Sequence, residues 1–413
     1  VAGLDRAAAR ERVSLFHAGT AEAGGSIVTS GGRVLNVTAT GANLEEARTR
    51  AYEAAGDISF CGCQFRRDIG WRELARTAGS YAASGVDIDE GNRAVTLLKK
   101  KVEATHSTGV LGGIGSFGGA LDASALKNFE HPVLLGTTDG VGTKVMLASA
   151  AGRYTSIGHD IVNHCINDLL VQGAFPLFFL DYIASSSISA SRIAEIVGGM
   201  AEACADAKCV LLGGETAEMP GVYCPGEFDV AGTMVGAAEK KRLLPRPDLQ
   251  PGDLLLGLAS SGLHTNGYSL ARKIFRGLPL EATPEGLDTT LGDALLAPHR
   301  SYLGVLRTAL DRGLVKALAH LTGGGVFDNL PRALPVDCAA DIERAAWPVS
   351  PLFRLIAEVS GLPDDELFRT FNMGVGLVVV CAPQDEPALR DAIKEPLFLL
   401  GHLAAGPRGV RML

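Results

Sequence analysis

The stretch Gly136–Lys144, GTTDGVGTK, carries the strongest structural signal in the chain, and it follows a candidate buried strand at Val133–Leu135. Asp139, at the end of that strand, is suited to holding a hard cation through oxygen. Gly140 and Gly142 let backbone N–H groups approach an anion, and the closing lysine adds positive charge. The chain contains no GxxxxGK[ST] sequence, so a nucleotide bound here is not bound by a P-loop. The alternative interpretation is a tight turn with a satisfied aspartate.

The next segment, Gly158–Val171, predicts a helix with one apolar stripe and an unusual polar face. That face consists of Asp160, Asn163, His164, Asn167 and Asp168. It lacks the Lys, Arg and Glu that a solvated helix face normally uses. A carboxylate row next to Asp139 would suit Mg²⁺ and phosphate, and the alternative is a polar face buried against another element. His159 and His164 do not have the i, i+4 spacing of a zinc pair, so we expect no zinc.

Three further clusters carry candidate functional residues. Glu215 in GGETAEMPG (213–221) follows another buried strand and is a candidate third carboxylate. His264 in SSGLHTNGY (260–268) lies between a strand and a helix, where it is either an acid/base or phosphate contact or a structural histidine. The sequence LTGGG (321–325) precedes a predicted helix, whose N-terminus would bind an anion such as a ribose phosphate.

The glycine-rich segment Gly112–Gly119 contains a literal GxGxxG, but its surroundings argue against a dinucleotide fold. The motif should follow an apolar strand and open a helix. Here the preceding Glu103–Thr108 is polar, and no apolar run follows before Asp122. We interpret the segment as a mobile flap over an anion, and the alternative is a flexible surface loop.

Composition restricts the class of protein. The chain has 413 residues, 47% of them hydrophobic and 20% charged, with a net charge of −8. The acidic balance gives no support to nucleic-acid binding. No apolar run approaches the length of a membrane span, and residues 1–12 are not a secretory signal. The eight cysteines include no CxxC pair, which favours a reducing compartment, and we expect a cytoplasmic protein.

The order of predicted elements indicates an α/β (α+β) chain with three blocks. Residues 1–76 form a small block, TAGSYAAS (77–84) reads as a linker, and the proline-containing RLLPRPDLQPGD (242–253) separates 85–244 from 245–413. Strands are predicted at Val13–His17, Val34–Thr38, Val133–Thr138, Leu177–Ile183, Val210–Leu212, Val230–Ala237, Leu254–Ala259, Gly376–Cys381 and Leu397–Leu403. Helices are predicted at Leu44–Ala54 and near 159–171, 191–206, 267–276, 299–311, 351–360 and 384–394.

Residues from about 81 to 413 resemble the phosphoribosylformylglycinamidine cyclo-ligase (AIR synthetase) family. The motifs that carry the resemblance are GVDIDEGN (85–92), TDGVGTK (138–144), IND (166–168), VQGAFPLFFLDY (171–182), GGETAEMPG (213–221), SSGLHTNGYSL (260–270), HLTGGG (320–325) and TFNMGVG (370–376). The resemblance implies an N-terminal half that forms a β-barrel shared by a homodimer, and a C-terminal α/β layer. It also implies cyclisation of formylglycinamidine ribonucleotide at the expense of ATP.

The resemblance further implies roles for individual residues. Asp139, Asp168 and Glu215 would hold Mg²⁺ with ATP. The remaining ATP contacts would be Gly113, Gly115, Gly140, Gly142, Thr143 and Lys144. His264, Lys99 and Asp168 would be catalytic, with Lys99 and Lys144 near phosphates. The substrate would be bound by Asn266, Thr322, Gly323, Gly324 and Gly325. The His159 and His164 pair departs from the family pattern.

Residues 1–76 resemble part of the C-terminal lobe of glycinamide ribonucleotide synthetase, an ATP-grasp ligase. The matching motifs are FHAGT (16–20), GGRVLNVTATG (31–41) and RRDIGW (66–71). Without the ATP-grasp body this lobe is expected to be inactive as a ligase, and we expect the chain to be the C-terminal part of a longer purine-pathway polypeptide.

Other members of the same ATP-binding superfamily are alternatives. A selenophosphate synthetase would need a reactive cysteine in residues 109–120, which contain none. Thiamine-phosphate kinase and the formylglycinamidine synthetase large subunit are also relatives, but the latter is much longer. An inactive scaffold is the non-enzyme alternative, and the presence of all three carboxylates speaks against it.

Overall fold

The computed structural model describes residues 1–77, 86–112 and 114–413. Most of the predicted linker and the predicted ATP contact Gly113 therefore lie outside the described residues. The chain divides into two compact units, Val1–Gly85 and Val86–Leu413.

In the part of the first unit that the structure describes, two small antiparallel sheets pair Val13–His17 with Leu35–Ala39 and Thr20–Ala23 with Ser26–Thr29, and there are three helices. Its elements are α1 (Leu4–Ala8), β1 (Val13–His17), β2 (Thr20–Ala23), β3 (Ser26–Thr29), β4 (Leu35–Ala39), α2 (Leu44–Asp57) and α3 (Trp71–Thr77). Asn43 caps the N-terminus of α2, because its Oδ1 accepts the Glu46 N–H at 2.9 Å. Glu46 in turn accepts the Ala42 N–H at 2.5 Å, which satisfies a second free donor at this helix end.

The second unit begins with a four-stranded sheet of order β5-β8-β6-β7. In this half the elements are α4 (Ile88–Glu103), β5 (Pro132–Gly140), α5 (Lys144–Ala151), α6 (Thr155–Leu170), β6 (Phe175–Ser185), α7 (Ala190–Asp206), β7 (Val210–Glu218) and β8 (Phe228–Glu239). Strand β8 is antiparallel to β5 and β6, and β6 is parallel to β7. Helix α6 packs against β5, β6, β8 and α7.

Strand β5 alternates between half-buried and exposed residues along its whole length. This period of two places Asp139 on the half-buried side, which α6 covers. Gly232 is the β8 partner of Asp139, and a Cβ added there would lie 2.1 Å from the Phe179 ring and 2.9 Å from Ile161 of α6. The close fit of helix to sheet at this point fixes the position of Asp139 relative to α6.

The C-terminal half of the second unit is built on a six-stranded sheet of order β10-β12-β9-β13-β11-β14. In this half the elements are β9 (Leu254–Ala259), α8 (Tyr268–Ile274), α9 (Leu291–Leu295), α10 (Leu303–Asp311), β10 (Ala317–His320), α11 (Gly325–Asn329), β11 (Cys338–Ile342), α12 (Pro351–Ser360), α13 (Asp364–Thr370), β12 (Val375–Cys381), α14 (Glu386–Ile393), β13 (Phe398–Ala405) and β14 (Gly409–Met412). All of its strand pairs are antiparallel except β11–β14.

The mixed α/β class predicted from the sequence is confirmed, and the main difference lies in β7. The sequence predicted a strand that ends at Leu212, followed by a loop, whereas Gly213–Glu218 continues the strand and pairs in parallel with β6. Strands β2, β3, β10, β11 and β14 were not predicted from the sequence. The barrel shared by two subunits stays a prediction, since one chain supplies a four-stranded sheet. Among the residues that the structure describes, no helix is long and apolar enough to cross a membrane.

Candidate functional site

The predicted polar face of α6 lies where the two halves of the second unit meet. Asp160 and Asn167 are fully buried and His164 is nearly so, whereas Asp168 is partly accessible. Asn167 donates to the Arg300 carbonyl at 2.8 Å, so the helix face packs against the C-terminal half. The interpretation as a polar face buried against another element is therefore confirmed for Asp160 and Asn167, and the interpretation as a metal-binding carboxylate row stays a prediction for Asp168.

Asp139 and Asp168 converge on one imidazole. His164 Nε2 lies 2.8 Å from Asp139 Oδ2 and 3.7 Å from Asp168 Oδ2. Burial alone would raise the pKa of Asp139, but the hydrogen bond and charge of His164 outweigh it and lower that pKa. Burial acts to lower the pKa of His164, and the two carboxylates more than reverse this effect. Both carboxylates remain accessible to solvent, with side chains 39% and 27% exposed, and their predicted role as cation ligands stays a prediction.

His320 supplies a second imidazole at the same place, which sequence reasoning did not identify. Its Nδ1 lies 2.9 Å from Asp168 Oδ1. Asp168 Oδ2 is also 3.4 Å from the Thr137 hydroxyl. His320 ends β10, and it could have been suspected only from its position directly before the glycine-rich turn at 322–325.

His264, the predicted acid/base or reacting-group contact, is fully buried. Its Nε2 accepts the Ser261 N–H at 3.2 Å, and its ring stacks on that of His299 with centroids 4.0 Å apart. Burial and the positive charges nearby hold its pKa well below the usual value, so the ring is neutral. In this conformation His264 is not accessible to solvent, and its ring centroid lies 6.4 Å from that of His320. Its catalytic role stays a prediction.

Lys144 differs most from its predicted place. Its side chain is fully buried, and Nζ lies 2.8 Å from Asp160 Oδ2. It also donates to the carbonyls of Ala297 at 2.8 Å and His264 at 3.2 Å. The structure thus replaces the predicted phosphate contact with an internal ion pair, because the first turn of α5 directs this side chain inward.

Glu215 does not join Asp139 and Asp168 within one chain. It lies on β7, and strands β8 and β6 separate β7 from β5. At the usual spacing of neighbouring strands this separation is roughly 14 Å. Glu215 is exposed and lies opposite Tyr182 of β6, in the row of residues next to the one that contains Asp139. The predicted set of three carboxylates around one ion is therefore not assembled by a single subunit.

Asp181 is a second residue that sequence reasoning missed, although it lies in the quoted FFLDY sequence. It lines a cavity of about 310 Å³ between α4 and β7, together with Gly214 and Glu215. Burial, with the nearby Glu215 charge, raises the pKa of Asp181 to about 7. Gly214 leaves space for this side chain, since a Cβ at that position would lie 2.0 Å from Asp181 Oδ1. In the sequence, the pair Gly213-Gly214 after an apolar run was the feature that could have indicated a side chain packed closely against this strand.

The predicted substrate residues lie beside the histidine cluster. Asn266 Nδ2 is 3.4 Å from Thr265 Oγ1, the hydroxyl that contacts His164. A Cβ added to Gly323 would lie 3.3 Å from Asn266 Oδ1, so the 260–268 and 321–325 loops are adjacent.

The turn before α11 is held by its own hydrogen bonds. Thr322 Oγ1 donates to Asn329 at 3.0 Å, and Asn329 donates to the Gly325 carbonyl at 2.8 Å. Gly324 and Gly325 have φ values of 92° and 57°. A Cβ on Gly325 would also lie 1.9 Å from the Phe368 carbonyl oxygen, so this turn requires glycine there.

The remaining predicted residues are spread over the surface of the second unit. Lys99 is exposed on α4, 3.9 Å from Glu103. Gly115 and Gly142 have φ values of 100° and 69°.

The two other members of the GTTDGVGTK turn make short polar contacts. The Gly140 N–H donates to Asp139 Oδ1 at 2.8 Å, and the Thr143 hydroxyl lies 3.1 Å from that of Ser269.

Comparisons with known proteins show the family of the chain. The family model described as "AIR synthase related protein, C-terminal domain" matches residues 250–413, and the corresponding N-terminal domain matches 121–238. Phosphoribosylformylglycinamidine cyclo-ligase of Geobacillus kaustophilus is 48% identical over 335 residues, which cover 80% of this chain and 96% of the relative. The chain belongs to the phosphoribosylformylglycinamidine cyclo-ligase family. The resemblance predicted from the motifs is thereby confirmed.

Residues 1–72 match the family model described as "Phosphoribosylglycinamide synthetase, C domain", which confirms the second resemblance. The human trifunctional purine biosynthetic protein adenosine-3 is 43% identical over 409 residues, which cover 96% of this chain and 40% of that protein. The bifunctional protein ADE5,7 of Saccharomyces cerevisiae is 40% identical over 410 residues, with 95% and 51% covered. The chain thus spans about half or less of these multifunctional relatives and contains parts of both enzyme types.

Solved structures share the fold of this cyclo-ligase family at low identity. Thiamine-monophosphate kinase from Stenotrophomonas maltophilia aligns with a TM-score of 0.58 at 22% identity, covering 76% of this chain and 95% of that one. HypE of E. coli aligns with a TM-score of 0.56 at 21% identity, covering 78% and 93%. These similarities support the fold alone.

Proposed function

We propose that the chain catalyses the ATP-dependent cyclisation of formylglycinamidine ribonucleotide to aminoimidazole ribonucleotide, with release of ADP and phosphate, in de novo purine synthesis. The observation that carries the proposal is 48% identity across 96% of a relative named for this reaction. The accessible pair Asp139 and Asp168 agrees with an enzyme that handles a metal nucleotide.

The reaction needs activation of a poor leaving group. Transfer of the ATP γ-phosphoryl group to the formamide oxygen gives an iminophosphate and ADP. The amidine nitrogen then attacks the former formyl carbon, the C–O bond breaks, and phosphate leaves as the ring closes. Such a reaction depends on positioning and charge neutralisation more than on a covalent nucleophile.

The carboxylates proposed to position and neutralise the nucleotide phosphates lie near the two edges of the β5-β8-β6-β7 sheet. Asp139 and Asp168 would hold Mg²⁺, which would neutralise charge on the phosphates of ATP. Glu215 and Asp181 at the other edge would act on the nucleotide of a neighbouring subunit, consistent with the predicted homodimer through residues 85–244.

The remaining assignments follow the geometry of the turn at Thr322–Gly325. This turn would hold the substrate phosphate next to Asn266, close to the metal carboxylates. Lys99 would contact phosphate if a second subunit or the glycine-rich segment 112–119 covered α4. We place the protein in the cytoplasm, with further purine-pathway domains upstream in the same polypeptide.

The test is ADP release from Mg·ATP with and without formylglycinamidine ribonucleotide. Release should require the ribonucleotide, and Asp139→Asn should abolish it while the circular dichroism spectrum stays unchanged. Asp206→Asn, an exposed aspartate at the end of α7, is the matched control and should keep full turnover. Equal ADP release without the ribonucleotide would contradict the proposal, and a monomer by light scattering at micromolar concentration would contradict the shared nucleotide site.

A further inference from the structure

Two imidazoles and two carboxylates form two close pairs at the junction of the two halves. His164 Nε2 is 2.8 Å from Asp139 Oδ2, and His320 Nδ1 is 2.9 Å from Asp168 Oδ1. One ligand atom from each of His164, Asp168 and His320 lies within 4.8 Å of the other two. Ligands bound at the usual 2.0–2.2 Å from a metal stand about 3 to 3.5 Å from one another, so these three residues need only small shifts to form part of a coordination shell. Asp139 lies outside this group of three but 2.8 Å from His164 Nε2, and it would move closer to complete the shell.

We propose that His164, His320, Asp139 and Asp168 form a binding site for a first-row transition-metal dication, which this site prefers over Mg²⁺. The inference deepens the proposed function, because it takes two of the predicted Mg²⁺ carboxylates and assigns them a mixed nitrogen and oxygen ligand set.

The hydrogen-bond directions around His320 support a cation at its Nδ1. Asn167 Oδ1 accepts the Tyr302 N–H at 3.0 Å, which turns the Asn167 amide N–H toward His299 Nε2 at 3.1 Å. His299 Nε2 is therefore an acceptor. It lies 3.0 Å from His320 Nε2, so His320 must carry a proton there. The Nδ1 lone pair of a neutral His320 then faces the anionic Asp168 oxygen, which is repulsive unless a second proton or a metal ion lies between them.

The second imidazole has the same outer support. His164 Nδ1 lies 2.6 Å from Thr265 Oγ1, so with a metal on Nε2 its Nδ1–H has an acceptor. Histidine ligands in metal sites characteristically donate their other ring N–H to such a partner, which fixes the ring. Here both rings have one, since His320 Nε2–H is directed at His299.

The charge and the ligand types select the ion. Two carboxylates and two neutral imidazoles balance one divalent cation. Mg²⁺ binds through oxygen ligands and retains water, whereas imidazole nitrogen favours ions such as Co²⁺ and Zn²⁺. The expectation of no zinc rested on histidine spacing within one helix, but the second histidine comes from β10 in the other half of the unit.

The experiment uses the full chain after treatment with a chelator, titrated with Co²⁺ without nucleotide or substrate. Calorimetry should give one site per chain that a hundredfold excess of Mg²⁺ does not displace. Proton NMR of the Co²⁺ form should show two exchangeable hyperfine-shifted imidazole N–H signals, from His164 and His320, that disappear in D₂O. Each of His164→Asn and His320→Asn should remove one signal and weaken Co²⁺ binding more than about tenfold.

His131→Asn is the control, because His131 is exposed at the start of β5, and it should leave both signals and the affinity unchanged. Displacement of Co²⁺ by an equal concentration of Mg²⁺, or the absence of shifted ring signals in the unaltered chain, would overturn the inference and leave a proton between His320 and Asp168. Neither result depends on turnover, so ribonucleotide-dependent ADP release can succeed while this inference fails, and the reverse.

Discussion

Replacement of Lys144 by methionine separates the structural role of this residue from its predicted phosphate contact. Lys144 and Asp160 both have side chains with 0% exposure and are 2.8 Å apart. Methionine keeps most of the volume but removes the charge, and Asp160 would retain only the His299 N–H, 2.7 Å away. Removal of one partner of a buried ion pair costs about 3–5 kcal/mol. We therefore expect Lys144→Met to lower the free energy of unfolding by about this amount.

Urea unfolding followed by tryptophan fluorescence can measure the effect on the second unit. Trp347 is buried there, and Trp71 of the first unit can be replaced by phenylalanine to remove its signal. A double-mutant cycle with Asp160→Asn gives the interaction energy. We expect Lys144→Met with Asp160→Asn to cost less than the sum of the single changes, because no uncompensated charge remains.

Lys273→Met, an exposed lysine on α8, is the matched control and should change stability by less than about 0.5 kcal/mol. If Lys144→Met left the urea midpoint unchanged and instead raised KM for ATP, the buried ion pair would be refuted as the role of Lys144. The sequence-based assignment to a nucleotide phosphate would then be correct.

Three further outcomes follow from the geometry. Gly214→Ala would place a Cβ 2.0 Å from Asp181 and should lower the free energy of unfolding, measured by thermal unfolding, by about 1–3 kcal/mol. The control Gly213→Ala, whose Cβ would have its nearest contact at 3.8 Å, should cost less. Equal losses in the two variants would contradict the close fit at Gly214. Folding raises the pKa of Asp181 from 3.8 to about 7, so between these values the folded chain keeps a proton that the unfolded chain releases. The free energy of unfolding should therefore decrease as the pH rises from about 4 to about 7. Asp181→Asn should flatten that pH profile, and an unchanged profile would refute the shift. Deletion of residues 1–76 should leave kcat/KM for cyclisation within a few-fold, and a hundredfold loss, about 2.7 kcal/mol, would show that the first unit completes the site.

The elements that the sequence predicted best have a clear period and clear ends. Strand β9 and helix α12 have the predicted bounds. An apolar run between turn signals marks the strand, and the helix begins at Pro351 and is followed by Gly361. Strand β10 is a short ALAH run whose four residues are all buried, which gives no alternation to detect. The end of β7 was missed because its two glycines suggest a turn, although Gly214 is there to accommodate Asp181.

The site could be predicted only as far as local spacing reaches. Asp139 and Asp168 were expected to be neighbours because one ends a strand and the other lies on the polar face of the next long helix. The burial of Lys144 depends on a carbonyl at Ala297, and the second imidazole depends on His320, both far away in sequence. No periodicity within a segment contains that information, since it arises when the two halves pack together.

Residue spacing along α6 couples the packing of the two halves to the position of the carboxylate at the proposed cation site. Asp160, His164 and Asp168 are four residues apart, so they lie in one row along the helix. The first is fully buried against Lys144, the second is almost buried, and the third is 27% exposed beside Asp139. A charge pair that holds the C-terminal half in place therefore stands two helical turns from the accessible carboxylate. A change that shifts α6 to give Asp160 a new partner also moves Asp168, because both residues lie on this helix. The position of Asp168 at the proposed cation site therefore depends on the Lys144–Asp160 ion pair, although that pair is not part of the site.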